Sequence, residues 1–236
     1  MDEKMQERID RIRDEIAQAA ASCGRDVREI TLMAVSKTHP WDAVMDGYAA
    51  GLRLFGENRV QEVEAKFPPF EERPDGMQVR LIGHLQSNKV KKIVPLVDGI
   101  DSLDSLKLAH LISDCSMRNG TRMPVLLEYN TSAEDAKSGF ESEHDLFDML
   151  DHIEELPGIV VRGLMTVGPL GGDERTIRNA FSLLRTVRDR CKARYPSLDF
   201  STLSMGMSGD FAWAIREGST LVRIGTRLFG ARDYTT

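Results

Sequence analysis

The sequence predicts an α/β protein folded as a single (β/α)8 barrel with an extra N-terminal helix. Three observations carry that expectation. Eight short apolar, β-branched runs recur along the chain, stretches with helical spacing separate them, and 236 residues suit eight such units better than an open doubly wound sheet. Strand–helix alternation implies parallel strands joined by crossovers. It also puts ligand chemistry at the carboxyl ends of the strands.

The first element is an amphipathic helix: Met5, Ile9, Ile12, Ile16 and Ala19 recur at spacings of four and three, and Gly24 can end it. Strands are expected at Ile30–Lys37, Leu52–Gly56, Val79–Gly83, Gly99–Leu103, Pro124–Tyr129, Val160–Val167, Thr202–Met207 and Leu221–Ile224. Three helical stripes lie between the later strands. They are Leu108, Leu111, Ile112 and Cys115; then Leu146, Met149, Leu150 and Ile153; then Ile177, Phe181, Leu184, Val187 and Cys191. Shorter, weaker helical pieces follow Trp41, Arg59, Ser87 and Gly209. The Pro-containing patch Phe67–Pro74 suits a surface loop. With no linker, repeat or low-complexity tract, residues 1–236 are expected to form one domain.

Composition narrows the function. At 41% hydrophobic residues the chain can build a sizeable core, and a net charge of −6 lacks the basic footprint of a nucleic-acid binder. A small anion remains compatible, because a few backbone amides hold a phosphate whatever the global charge. Cys23, Cys115 and Cys191 are far apart and lack metal-ligand spacing, which suits reduced thiols in the cytoplasm. The start MDEKMQERID is too charged for a signal peptide, and no apolar run approaches membrane-spanning length. No metal site is expected either; only His84 and the Asp101/Asp104 region offer ligands.

The strand ends hold the candidate chemistry. The first run, ITLMAVSKT, is apolar until Ser36-Lys37-Thr38. An amine at a barrel mouth either serves as a nucleophile toward an aldehyde, or it reaches solvent or pairs with Glu57. Asn58, after the second strand, could orient a ligand or cap the helix that follows; His84, after the third, could act as a base or be satisfied by backbone. After the seventh strand comes Ser204-Met205-Gly206-Met207-Ser208-Gly209-Asp210, and after the eighth Arg223-Ile224-Gly225-Thr226. Small and hydroxyl residues in both loops suit a phosphate cradle, the place where barrels often hold one, or else ordinary turns and caps. Arg223, flanked by Leu221, Val222 and Ile224, is either paired with an internal acid or aimed at a ligand. An amine, a phosphate cradle and a cation between them suit an aldehyde-bearing phosphate, of which pyridoxal 5′-phosphate (PLP) is the obvious member.

Seven ordered segments make the pattern specific: VSKTHP (35–40), FGENRVQE (55–62), IGHLQSNK (82–89), LLEYNTSAEDAKSGF (126–140), GLMTVGP (163–169), LSMGMSGD (203–210) and VRIGTRLFGARDY (222–234). In them the chain resembles the family of pyridoxal phosphate homeostasis proteins over nearly its whole length. The resemblance implies the type III PLP fold, the barrel of the alanine racemase N-terminal domain. It implies an aldimine between the cofactor and Lys37, Arg223 facing the pyridine nitrogen, and Ser208, Gly225 and Thr226 on the phosphate. Asn58 and Ser204 are implied as further members of the pocket. Apart from the resemblance, Lys137 in the Asp135–Phe140 loop is either a secondary anion contact or a solvated loop lysine.

The same resemblance implies a carrier, with no catalytic residue and with PLP and apo PLP-dependent enzymes as partners. Racemases of the related fold close their site with a second domain and a partner subunit that supplies a tyrosine base. This chain ends at Thr236, about where a barrel is complete, so a wet, open site and a monomer are expected. Arginine at the ring nitrogen also makes the cofactor a poorer electron sink. The alternative is a weak amino-acid racemase, with Lys37 and His84 as its two bases. A Schiff-base aldolase would need no stable cofactor. A serine hydrolase is excluded by the spacing of Gly206-Met207-Ser208-Gly209-Asp210, which misses the nucleophile elbow.

Overall fold

Each of the eight apolar runs forms a strand, because residues buried on both faces need apolar side chains throughout. A computed structural model describes residues 4–132, 138–169 and 171–230. Helix α1 (Met5–Ser22) comes first, and Gly24 follows it in the left-handed region at φ 71°. The barrel begins with β1 (Thr31–Val35), α2 (Trp41–Ala49), β2 (Leu54–Glu57), α3 (Val60–Lys66), β3 (Gln78–Leu81) and the short α4 (Val90–Ile93). It continues with β4 (Gly99–Leu103), α5 (Leu106–Arg118), β5 (Met123–Glu128), α6 (Glu143–Asp151) and β6 (Ile159–Met165). The last units are α7 (Glu174–Arg194), β7 (Thr202–Ser204), α8 (Phe211–Arg216), β8 (Leu221–Ile224) and α9 (Thr226–Phe229).

The strands lie in chain order, and β8 closes on β1 in parallel, with Leu32 opposite Val222 and Met33 opposite Arg223. The sequence-derived fold class and extra helix are both present. Bounds differ most at β7, expected to reach Met207 but ending at Ser204. Gly206 turns the chain out of the sheet at φ 95°, where an added Cβ would come within 2.5 Å of the Ala214 Cβ. Between β6 and β7 the approach is tighter still: a Cβ on Gly163, at φ 148°, would meet the Thr202 carbonyl oxygen at 1.9 Å. Leu111 breaks the expected α5 stripe and lies exposed, while Leu108, Ile112 and Cys115 are buried. Ile153 falls beyond the end of α6, in a 3-10 turn.

Helix α1 buries Ile9, Ile12, Ile16, Ala19 and Ala20 and packs against α8 and α9. Two long-range ties fix it. Arg227 on α9 donates through both terminal nitrogens to Glu15, and Arg25 donates to the carbonyls of Ile215 (2.9 Å) and Ser219 (2.7 Å). The helix thereby packs against α8 and α9, which precede and follow β8, the strand that carries Arg223.

Candidate functional site at the carboxyl end of the barrel

One cavity of about 300 Å3 opens at the carboxyl ends of the strands. It brings together Lys37, Asn58, Ser208, Arg223, Gly225 and Thr226, six of the seven residues singled out in the sequence. Val35, Ile82, Val167 and Met207 supply apolar wall, and His39 and Gly209 complete the lining. Ser204 does not line it. That side chain is fully buried and accepts a 2.7 Å hydrogen bond from Arg223 Nη1, so it bears on the cavity through the arginine. Lys137 lies outside the described residues.

Arg223 is buried, and its Nη2 donates to the Thr166 carbonyl at 2.8 Å. Burial pulls its pKa down, and the carboxylates of Asp101, Glu128 and Asp210 pull it back up. Arg223 thus feels internal acids and lines the cavity, while its two hydrogen bonds go to Ser204 and the Thr166 carbonyl. Asp101 is fully buried and lies 2.7 Å from Arg80 Nε. Burial also raises the carboxyls of Asp101, Glu128 and Asp210. The loop after β7 is a tight turn in which the Asp210 side chain accepts the Met207 N–H and the Met207 carbonyl accepts the Asp210 N–H. That turn displays Ser208 and Gly209.

Around Lys37 the structure adds what sequence reasoning missed. Glu57 pairs with Lys66, whose Nζ lies 2.6 Å from Glu57 Oε1. Ser36 Oγ donates to the same carboxyl at 2.6 Å. Burial pushes Glu57 up to about 7, against the pull of Lys66 and Ser36. A lysine in register with Val60 and Val63 on a short helix was the available signal, since it places a charge on the buried face. Asn58 is not the cap of α3; Arg59 holds that position without a side-chain bond. His84 lies outside the first cavity. It is exposed, 3.1 Å from Asp104, and lines a second cavity with Arg59, Glu62 and Lys89.

An aldehyde-bearing phosphate fits this donor set. An amine stands at the end of β1, hydroxyl and glycine residues after β7 and β8 suit a phosphate, apolar side chains suit a ring, and a held guanidinium lies between.

The chain is similar to known proteins over nearly its whole length. The family described as alanine racemase, N-terminal domain, matches residues 8–233. A pyridoxal phosphate homeostasis protein of Vibrio alginolyticus is 39% identical over 233 residues, spanning 98% of this chain and 99% of its own. Its counterpart in Escherichia coli K12 is 41% identical, with 95% of each chain covered. Among solved structures, PipY of Synechococcus elongatus with PLP bound has a TM-score of 0.79 at 37% identity, covering 91% of this chain and 100% of PipY. Alanine racemase of Streptomyces coelicolor shares the fold alone, with a TM-score of 0.71 at 17% identity over 93% of this chain and 57% of the racemase.

Proposed function

This chain belongs to the family of pyridoxal phosphate homeostasis proteins, on the barrel of the alanine racemase N-terminal domain, and from that we propose that it holds PLP as a Schiff base on Lys37. Its role in this reading is cytoplasmic: a monomer that stores the cofactor and supplies apo-enzymes, without robust turnover of its own. The observation that carries the reading is the convergence of Lys37, Ser208, Arg223, Gly225 and Thr226 on one cavity, from three separate strand ends.

When bound, PLP supplies an aldehyde for an amine to attack and a phosphate to anchor it. Lys37 provides the amine. Ser208 and Thr226 provide hydroxyl donors beside the backbone of Gly209 and Gly225. Arg223, held by Ser204 and the Thr166 carbonyl, would offer a permanent donor to a pyridine nitrogen bound in the cavity and would oppose its protonation. The second base a racemase needs is not supplied by His84, which is engaged with Asp104 outside the cavity.

Titrating the apo-protein with PLP tests the binding half: a yellow band should grow in the wild type and be absent from Lys37→Ala. A wild type that stays colourless would overturn it. Incubation of the loaded protein with L-alanine, followed by chiral chromatography, tests the carrier half. Sustained formation of the D-isomer would replace the carrier with the racemase.

A further inference from the structure

Lys37 occupies a short turn, Ser36-Lys37-Thr38-His39, closed by a 3.1 Å bond from the His39 N–H to the Ser36 carbonyl. Thr38 within it has φ 67°, the one positive-φ residue other than glycine among the described residues. A β-branched residue rarely adopts this conformation, and it persists only where the surroundings impose it.

The imposing groups come from β2 and α3. On one side of Lys37, the Thr38 N–H donates to Glu62 Oε2 at 2.9 Å. On the other side, Ser36 is held twice: its hydroxyl donates to Glu57 Oε1 at 2.6 Å, and its carbonyl accepts from Lys66 Nζ at 2.7 Å. Lys66 also closes on Glu57, which ends β2. Glu62 and Lys66 are four residues apart on α3 and so share one face of it.

We propose that Glu57, Glu62 and Lys66 form a clamp that fixes the backbone on both sides of Lys37 and so aims its amine into the first cavity. They are positioning residues and touch no ligand. The clamp has a dry half and a wet half: Glu57 is fully buried, while Glu62 also lines the second, open cavity. The two carboxyls are neighbours as well, since Glu62 contributes to raising Glu57. A plain buried ion pair would account for Glu57 and Lys66. It would not account for Glu62 on the strained amide.

The inference rests on the PLP reading for its consequence but not for its geometry, and the test separates the two. Amide hydrogen exchange at Thr38 is measured in the apo-protein, and PLP affinity from the visible band, for wild type, Glu62→Ala and Glu62→Gln. Loss of one hydrogen bond to a charged group should speed Thr38 exchange roughly tenfold in Glu62→Ala and weaken PLP binding by a similar factor. Glu62→Gln retains a carbonyl acceptor and should restore both. The pH at which the visible band changes should move in Glu62→Ala and return in Glu62→Gln. Unchanged exchange in Glu62→Ala overturns the clamp, and so does faster exchange with unaltered PLP affinity. If the wild type binds no PLP, the function reading fails and exchange alone decides whether the turn is held.

Discussion

Arg223 brings a full charge into the barrel, with Ser204 and the Thr166 carbonyl on its guanidinium and Asp101, Glu128 and Asp210 around it. Arg223→Met should cost about 1–3 kcal/mol, because it leaves the buried Ser204 hydroxyl and the Thr166 carbonyl without their donor; urea unfolding checks this. Glu57 sets a pH dependence. Its pKa is raised by burial from the ordinary 4.5 to about 7, so the folded state holds a proton that the unfolded chain releases. Its contribution to stability is full below pH 4.5 and is lost as pH rises to about 7. Denaturant midpoints should therefore fall across that window in the wild type, and Glu57→Gln should flatten the fall. The place of Lys37, Ser208, Gly225 and Thr226 at the cavity was legible because each is a polar or small residue just past an apolar strand, and that of Arg223 because it is a charge inside one. The Glu57–Lys66 pair was not, since pairing across a turn and a helix depends on how α3 docks.

At the scale of elements, all eight strands were legible from apolar, β-branched runs, and the bounds of β4 and β8 coincide with the sequence reading. The structure departs from the sequence pattern in two ways, at a turn that ends a run and at a helical position that faces solvent. Gly206 ends the run after β7, and Leu111 sits on the solvent side of α5 despite its helical spacing. Helix α1 shows what its apolar stripe does: Ile9, Ile12 and Ile16 cover the outside of the barrel beside α8 and α9. Ile12 is fully buried, so Ile12→Ala should destabilise the fold by about 2–5 kcal/mol. The PLP band should survive in this variant at temperatures where it stays folded, because α1 contributes no residue to the first cavity. A lost band in a folded Ile12→Ala protein would mean that α1 shapes the site directly.

For the whole molecule, a ligand that binds only the folded state adds stability in proportion to its saturation, about 2.7 kcal/mol at one hundred times Kd. PLP should therefore raise the melting temperature of the wild type by several degrees and leave that of Lys37→Ala unmoved, although the apo forms should melt alike. Such a pair of curves separates a cofactor held by one covalent bond from one held by the phosphate cradle alone. The central claim is the identity of the lysine, and peptide mass spectrometry of the PLP-loaded protein after borohydride reduction tests it most directly. A pyridoxyl phosphate adduct on the peptide containing Lys37 is the expected result; an adduct confined to another lysine, or none, would rule out Lys37 as the anchor.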